Sequence, residues 1–249
     1  MPPEPDLSAV TRPRTSPLLT PFTTTSGETV YLWTTFSADQ VDLNYRSPAV
    51  LLTMVAVLLA YAAHGARVLR MRTDMKPWSD NKVRLALKLC QHHEKLLALA
   101  YFGQGYEGQD FHVYPLHPEY CEMPVPKYDP KRAKQLLKDA GYPDGLDVNL
   151  AFGSGWPPVV RYAEILKQDA APAGFRINLN TMPNSQFWGK WTEVDLGITP
   201  WMHRPLGTMV LNLAFVADNT GKPAPWNETR WVDDEFTKLL TQANGTLDV

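Results

Sequence analysis

Cysteine and other metal-binding residues are scarce in this sequence. Its 249 residues include six histidines and two cysteines, Cys90 and Cys121. Two thiols are too few for a disulfide framework or a four-thiolate zinc site, although one disulfide and two buried free thiols both remain open. No spacing of cysteine, histidine and carboxylate residues matches a metal site. We therefore expect neither a metal ion nor a cofactor.

An excess of positive charge is also missing. The chain has 24 lysines and arginines against 26 aspartates and glutamates, which gives a formal net charge of −2. Proteins that bind nucleic acid usually present a basic face to the phosphates. The balance of charge therefore argues against nucleic acid as a partner.

Long apolar runs are absent too. The most apolar stretch, from Ala49 to Ala63, has 15 residues, whereas a helix needs about 20 to span a bilayer. We expect this stretch to form a buried core helix; a membrane segment and a misplaced signal-like run are the alternatives. The N-terminal sequence has prolines where a secretion signal would have its apolar core. As written, the chain is expected to stay in the cytoplasm.

The residues that are present suffice for a packed core, because 44% are hydrophobic and 20% are charged. After an opening loop rich in threonine and proline, β-branched and aromatic residues predict a strand from Thr29 to Phe36. Ser47 can cap a helix that starts at Pro48. That helix is apolar nearly all round, so we expect it to be buried on most sides. Another strand begins over Ala66 to Leu69, and this order of elements is typical of an α/β fold.

Residues 71–249 predict further helices and strands. Helices can be capped by Ser79 or Asp80, and by the Asp129-Pro130 pair. Acidic residues from Asp233 favour the positive end of a last helix. The other expected elements are a helix at 93–101, a strand at 145–152, a helix at 158–171, and strands at 175–182 and 195–201. We expect an open mixed sheet with flanking helices.

Several segments of this larger part resemble the extracellular solute-binding proteins of oligopeptide-type ABC transporters, solute-binding family 5. They are MRTDMKPWSDNKVRLALKL, EKLLALAYFGQG, YDPKRAKQLLKDAGYPDG, NLAFGSG with RYAEILKQDAAPAGFRINL, and DLGITPW. The resemblance implies that residues 71–249 form a partial lobe of a periplasmic binding protein of type II, truncated at its C-terminal end. It also implies a peptide-, sugar- or small acid-type solute, an ABC transporter permease as partner and a periplasmic location. We expect a monomer, and an incomplete lobe that binds weakly or not at all.

The earlier stretch resembles a different family. RPRTSPLLTPF, YLWTTFSADQVDLNYRSPAVLL and YAAHGARVLR are similar to parts of the α-amylase superfamily, nearest its sucrose-phosphorylase-like branch. This resemblance implies that residues 1–70 are a fragment of a (β/α)8 barrel and not an independent domain. The two resemblances meet at Arg70 and Met71, which suggests a chimera of two fragments; a non-functional fused reading frame is an alternative.

The amylase-like piece lacks the residues that catalysis would need. Retaining glycoside chemistry uses two carboxylates, and in the resembled superfamily an Arg-x-Asp motif supplies the nucleophile. Arg70 matches the arginine of that motif, but Arg72 stands at the nucleophile position. We therefore expect no enzymatic activity. A displaced nucleophile at Asp74 is the alternative to a plain loop carboxylate.

Tryptophans are concentrated after residue 180, in loop-rich sequence that suits a ligand cleft. They can stack on a sugar or cover a peptide side chain, and filling the core between two lobes is the alternative. In the peptide-binding branches, the resemblance implies an aspartate after the last tryptophan of DLGITPW that pairs with an ammonium group. Here an arginine, which suits a carboxylate, follows instead. We predict that Trp188, Trp191, Trp201, His203 and Arg204 bind an acidic or sugar-like solute.

Overall fold

The computed structural model describes residues 17–34, 41–63 and 65–246. The chain divides into two compact units, Met1–Ala60 and Tyr61–Val249. The division falls within the helix α1 (Pro48–Ala63). It lies ten residues before the boundary at residue 70 that the two resemblances suggest. The strand that follows α1 thus belongs to the second unit.

The described part of the first unit contains a β-hairpin and the start of α1. β1 (Leu19–Thr23) pairs antiparallel with β2 (Thr29–Trp33). Gly27, in the connecting turn, has a φ of 83°, which suits glycine. β2 confirms the predicted strand as far as Trp33, and residues 35 and 36 lie outside the described residues. β1 replaces the expected loop, because Pro21 is tolerated in a strand that has a free edge.

Helix α1 begins at Pro48 as predicted, but it is not buried as predicted. Among its described side chains, Leu51, Leu52 and Val55 are 44%, 68% and 41% exposed. The described part of the first unit offers only a two-stranded hairpin, which is too small to surround a helix. The expectation of a buried core helix is therefore wrong for residues 48–56. None of the helices that the structure describes is long and apolar enough to cross a membrane.

A four-stranded mixed sheet organises the second unit. Its strands are β3 (Gly65–Met71), β4 (Leu146–Gly153), β5 (Phe175–Met182) and β6 (Leu196–Met202), in the order β3-β6-β4-β5. β4 runs parallel to β5 and β6, whereas β3 runs antiparallel to β6 along its whole length. The predicted open mixed sheet is confirmed. One of its edges is β3, which comes from the segment that resembles an amylase barrel strand.

Seven helices complete the described part of the second unit. They are α2 (Asn81–Lys88), α3 (His93–Tyr101), α4 (Pro130–Asp139), α5 (Pro157–Ala170), α6 (Asn184–Trp188), α7 (Gly207–Ala214) and α8 (Asp234–Asn244). The predicted caps of α2 and α4 are confirmed, since Asp80 and Asp129 each accept a backbone N–H of the first turn. Asp233, expected only as an acidic residue at the start of the last helix, caps α8 in the same way. α6 and α7 were not predicted, because both start without a side-chain cap.

The two faces of the sheet pack against different elements, because alternate strand residues point to opposite sides. On one face, Leu196 and Ile198 join the main core with residues of α2, α3, α4 and α5. Both cysteines are free thiols, and Cys90 is buried in that core, but Cys121 is exposed and not buried as expected. On the other face, Trp201 packs with Val210 and Ala214 of α7. This second face, at the end of β6, carries the candidate site.

Candidate functional site

Five tryptophans form a continuous cluster at the carboxyl end of the sheet, which we call the tryptophan wall. Its members are Trp156, Trp188, Trp191, Trp201 and Trp226. Neighbouring rings meet edge to face, with centroids 5.4 to 6.0 Å apart. Trp156 follows β4, and Trp201 lies near the end of β6. Parallel strands β4 and β6 end at the same edge, which is where open α/β sheets usually bind their ligands.

The tryptophan wall is anchored on one side and open on the other. Trp201 is 6% exposed, whereas Trp188 and Trp226 are 42% and 45% exposed. Phe187 is fully buried and packs with Ala151 in a small core next to the wall. The exposed indoles provide an apolar surface that can receive a ring or an apolar chain.

A buried ion pair holds the inner edge of the wall. Arg70 Nε on β3 donates to Glu228 Oε2 at 2.8 Å, and the two side chains are 1% and 3% exposed. Glu228 also accepts hydrogen bonds from the Trp201 indole at 2.8 Å and from the Thr199 hydroxyl at 2.6 Å. The terminal nitrogens of Arg70 donate to backbone carbonyls of the loop before β6, including that of Trp191. One ion pair thus fixes the Trp201 ring and the loop that carries Trp191.

Burial acts against both charges of this pair. It raises the pKa of the Glu228 carboxyl and lowers the pKa of the Arg70 guanidinium. The attraction between the two groups and the hydrogen bonds from Thr199 and Trp201 oppose the shift of Glu228. Arginine keeps its proton in proteins, so the pair depends on a charged Glu228 for its stability.

Sequence reasoning missed the role of Glu228. It lies 158 positions from Arg70, and no local pattern connects the two residues. Arg70 was matched to the amylase-type motif, whereas in the structure it sits within the sheet of the second unit. A buried arginine partner can be found only once β3 and the segment around Glu228 are placed together in the fold.

A small pocket opens beside Trp201, and we call it the histidine pocket. It has room for about one water-sized group. The residues that line it are Ala66, His112, Tyr114, His117, Trp201, Met202, His203, Arg204 and Val210. This lining includes three histidines and an arginine but no carboxylate.

Hydrogen bonds within the protein occupy several polar groups of this pocket. His117 Nδ1 accepts the Tyr114 N–H at 3.1 Å, and its Nε2 donates to the Arg204 carbonyl at 3.1 Å. The Tyr114 hydroxyl bonds to Nδ1 of His203, whose ring stacks on His117 with centroids 5.2 Å apart. His112 differs, because it is buried and neither of its ring nitrogens has a partner among the described residues.

The structure brings the five predicted site residues to one end of β6. Trp188, Trp191 and Trp201 belong to the tryptophan wall, while His203 and Arg204 line the histidine pocket together with Trp201. Their part in ligand binding stays a prediction. No three histidine, cysteine or carboxylate side chains of residues 17–34, 41–63 and 65–246 are placed to hold a metal ion.

Sequence reasoning did not find His112, Tyr114 and His117. They lie in a proline-containing stretch, and 89 positions separate Tyr114 from His203. The aromatic and histidine content of that stretch was visible in the sequence. Its contact with the end of β6 was not, because it arises from tertiary packing alone.

The residue at the amylase nucleophile position is engaged in a surface ion pair. Two nitrogens of Arg72 bind the two carboxylate oxygens of Asp74 at 2.9 and 2.6 Å. The hydrogen bonds from Arg72 hold the pKa of Asp74 below its usual value. Asp74 is 44% exposed, so its geometry is that of a solvated loop carboxylate.

The family model of the bacterial extracellular solute-binding proteins, family 5 (middle part), matches residues 26–221. The match covers most of the chain. The chain therefore belongs to family 5 of the bacterial extracellular solute-binding proteins, and the first resemblance is confirmed. The match also includes residues 26–70, which lie in the stretch compared above with the α-amylase superfamily.

Two curated relatives correspond to the two resemblances. The chain is 65% identical over 78 residues to glucosylglycerate phosphorylase of Escherichia coli K12, which is 31% of this chain and 14% of the relative. It is 30% identical over 130 residues to the glutathione-binding protein GsiB of Salmonella choleraesuis, which is 52% of this chain and 25% of the relative. The first match supports the resemblance to phosphorylases of the α-amylase superfamily. The chain spans a quarter or less of either relative.

A solved binding protein shares the fold of most of the chain. DppA of Helicobacter pylori, in complex with the peptide STSA, superposes with a TM-score of 0.65 at 18% identity. The likeness covers 93% of this chain and 52% of that one. At this identity it concerns the fold alone, and it supports the predicted lobe of a periplasmic binding protein. The barrel fragment expected for residues 1–70 stays a prediction.

Proposed function

We propose that this chain is part of the solute-binding component of an ABC import system, and that the tryptophan wall and the histidine pocket form one side of its solute cleft. Membership of solute-binding family 5 supports the import role. The tryptophan wall lies at the carboxyl ends of β4 and β6, which is where a cleft in an open α/β sheet is expected. In this role the chain acts as a monomer that delivers its solute to the permease.

The solute that this site suits best is a carboxylic acid that carries a sugar. The observation that carries this proposal is the charge of the histidine pocket, whose lining includes Arg204 but no carboxylate. Arg204 takes part in none of the ion pairs among the described residues. A guanidinium binds a carboxylate through paired hydrogen bonds, and an indole covers a sugar ring. An ammonium group would find no counter-charge in this lining.

Glucosylglycerate is the first compound to test. It combines a glucosyl group with a carboxylic acid, and it is the compound named for the phosphorylase that matches the chain at 65% identity. The indoles of the tryptophan wall report on binding, because Trp188 and Trp226 are partly exposed. We expect a saturable change in tryptophan fluorescence when the chain is titrated with glucosylglycerate.

Variants separate the carboxylate contact from the rest of the site. Loss of a hydrogen bond to a charged group costs about 1.5–3 kcal/mol, so Arg204→Gln should weaken glucosylglycerate binding about tenfold or more. Arg132→Gln, on the exposed side of α4, is the matched control and should bind normally. Tight binding of dipeptides with a free amine, abolished by N-acetylation, would overturn the proposal.

We further propose that the chain alone binds its solute weakly. Binding proteins of this class close on a solute between two lobes, and the chain corresponds to 52% of the length of the solved relative. The described residues supply one sheet with its tryptophan wall, and thus one side of a cleft. Titration would then give a dissociation constant well above that of a two-lobed relative for its own solute.

The alternative function is turnover of a sugar, and we propose that the chain lacks it. Arg72 stands where the resembled enzymes have their nucleophile, and both carboxylate oxygens of Asp74 are occupied by hydrogen bonds from that arginine. Retaining chemistry needs a second carboxylate about 5–5.5 Å from the first. Release of glucose 1-phosphate from sucrose or glucosylglycerate, in the presence of phosphate, would contradict this proposal.

A further inference from the structure

One buried histidine of the histidine pocket has hydrogen-bonding capacity that the protein does not use. His112 is 4% exposed, and neither Nδ1 nor Nε2 has a partner among the described residues. Its ring is held edge-on against Trp201 and Phe215, with both centroid distances at 5.3 Å. A buried polar group without a hydrogen-bond partner destabilises the folded state. If His112 only filled this space, the folded protein would be more stable with an apolar residue at this position.

The neighbouring groups do not relieve this cost. His117 uses one ring nitrogen on the backbone of Tyr114 and the other on the carbonyl of Arg204. The Tyr114 hydroxyl is bonded to His203. His112 thus lines the histidine pocket with two ring nitrogens that these neighbours do not use.

The chemistry of His112 selects an uncharged group. Burial lowers the pKa of His112 to about 4, so the ring is neutral at pH 7 and has one N–H donor and one nitrogen acceptor. A hydroxyl group can pair with either ring nitrogen, donating to the acceptor or accepting from the N–H, whereas a carboxylate can pair only with the N–H. The pocket has room for about one water-sized group, which is the size of a hydroxyl.

We infer that His112 is a specificity-determining residue that binds one hydroxyl group of the solute, beside the carboxylate contact of Arg204. The buried Trp201 ring, 6% exposed, shields this hydrogen bond from water. The inference rests on the proposed function and narrows the solute to a hydroxylated carboxylic acid. The contact gives one of the two unpaired ring nitrogens of His112 a hydrogen-bond partner.

Two small acids test this inference without knowledge of the whole solute. D-Glycerate has a carboxylate and two hydroxyl groups, and propionate has the carboxylate and the same carbon chain without hydroxyls. A neutral hydrogen bond contributes about 1 kcal/mol, so the chain should bind glycerate about fivefold more tightly than propionate. His112→Phe keeps the aromatic packing and should lower the ratio of the two affinities from about five to about one. His93→Phe, a half-buried histidine of α3, is the matched control and should keep the preference.

A direct reading of the ring does not depend on any variant. In the wild-type chain with 15N-labelled histidine, glycerate should shift the side-chain nitrogen signals of His112, and propionate should not. If glycerate binds without moving these signals, the pocket holds an internal water only and the inference is overturned. If both acids bind equally, the hydroxyl contact is wrong while the carboxylate site of the proposed function stands. If neither acid nor glucosylglycerate binds, both proposals fail together.

Discussion

Arg70 and Arg72 lie two positions apart, yet they form very different ion pairs. The side chains of Arg70 and Glu228 are 1% and 3% exposed, whereas those of Arg72 and Asp74 are 20% and 44% exposed. An exposed pair contributes about 0–1 kcal/mol, but removal of one partner from a buried pair costs about 3–5 kcal/mol because a charge is left uncompensated. We predict that Glu228→Ala lowers the free energy of unfolding by about 3–5 kcal/mol, and that Asp74→Ala lowers it by no more than about 1 kcal/mol. Urea unfolding at pH 7 measures both losses.

Glu228→Gln refines this comparison at the same position. It keeps the size of the side chain and one acceptor oxygen, but it removes the charge that faces Arg70. We expect a loss close to that of Glu228→Ala, together with a shift in tryptophan emission as the bond to Trp201 changes. Equal stability of the Glu228 and Asp74 variants would contradict the view that the buried pair anchors the wall.

The residues of the site differ in how far they could be predicted. Trp201, His203 and Arg204 follow one another on the chain, so the resemblance pointed to all three at once. His112 and Glu228 come from distant segments, and a histidine or a glutamate in a loop is ordinarily a surface residue. Their burial depends on which loops fold over the end of β6, and that is a property of the tertiary structure.

At the scale of single elements, helix α4 shows a start that the sequence predicts well. Asp129 accepts the N–H of Arg132 at 2.8 Å, and Pro130 occupies the first helical position. Replacing an aspartate cap by alanine costs about 1 kcal/mol, so we predict that Asp129→Ala destabilises the chain by about that amount in urea unfolding. Lys134→Ala, on the exposed side of the same helix, should change stability by less than about 0.5 kcal/mol. If Asp129→Ala left the free energy of unfolding unchanged, tertiary packing alone would hold α4 in place.

Elements with a local signal were predicted closely, and the others were not. β5 spans residues 175–182 and α3 spans residues 93–101, both as expected. α7 begins at Gly207 without a side-chain cap and was missed. The burial of α1 was predicted wrongly, because an apolar helix indicates that it needs a partner but not that the chain provides one.

For the whole molecule, strand pairing decides which segments belong together. β3 lies almost wholly in the stretch that resembles the α-amylase superfamily, but it pairs with β6 from Gly65↔Met202 to Met71↔Leu196. The resemblance to the α-amylase superfamily ends at residue 70. The boundary between the two compact units falls earlier, between Ala60 and Tyr61. Local sequence similarity indicates which family a segment resembles, whereas backbone hydrogen bonds determine the sheet in which the segment folds.

The two compact units should differ in cooperativity, and calorimetry can measure this. The described part of the first unit has a two-stranded hairpin, which is marginally stable by itself, and the exposed side chains of α1. Unfolding near 60 °C absorbs about 0.7 kcal/mol per residue. We therefore predict one transition of about 130 kcal/mol, the value for the 189 residues of Tyr61–Val249. A single transition of about 170 kcal/mol, the value for all 249 residues, would show instead that the first unit unfolds together with the second, and the segment resembling the α-amylase superfamily would then be an integral part of the fold.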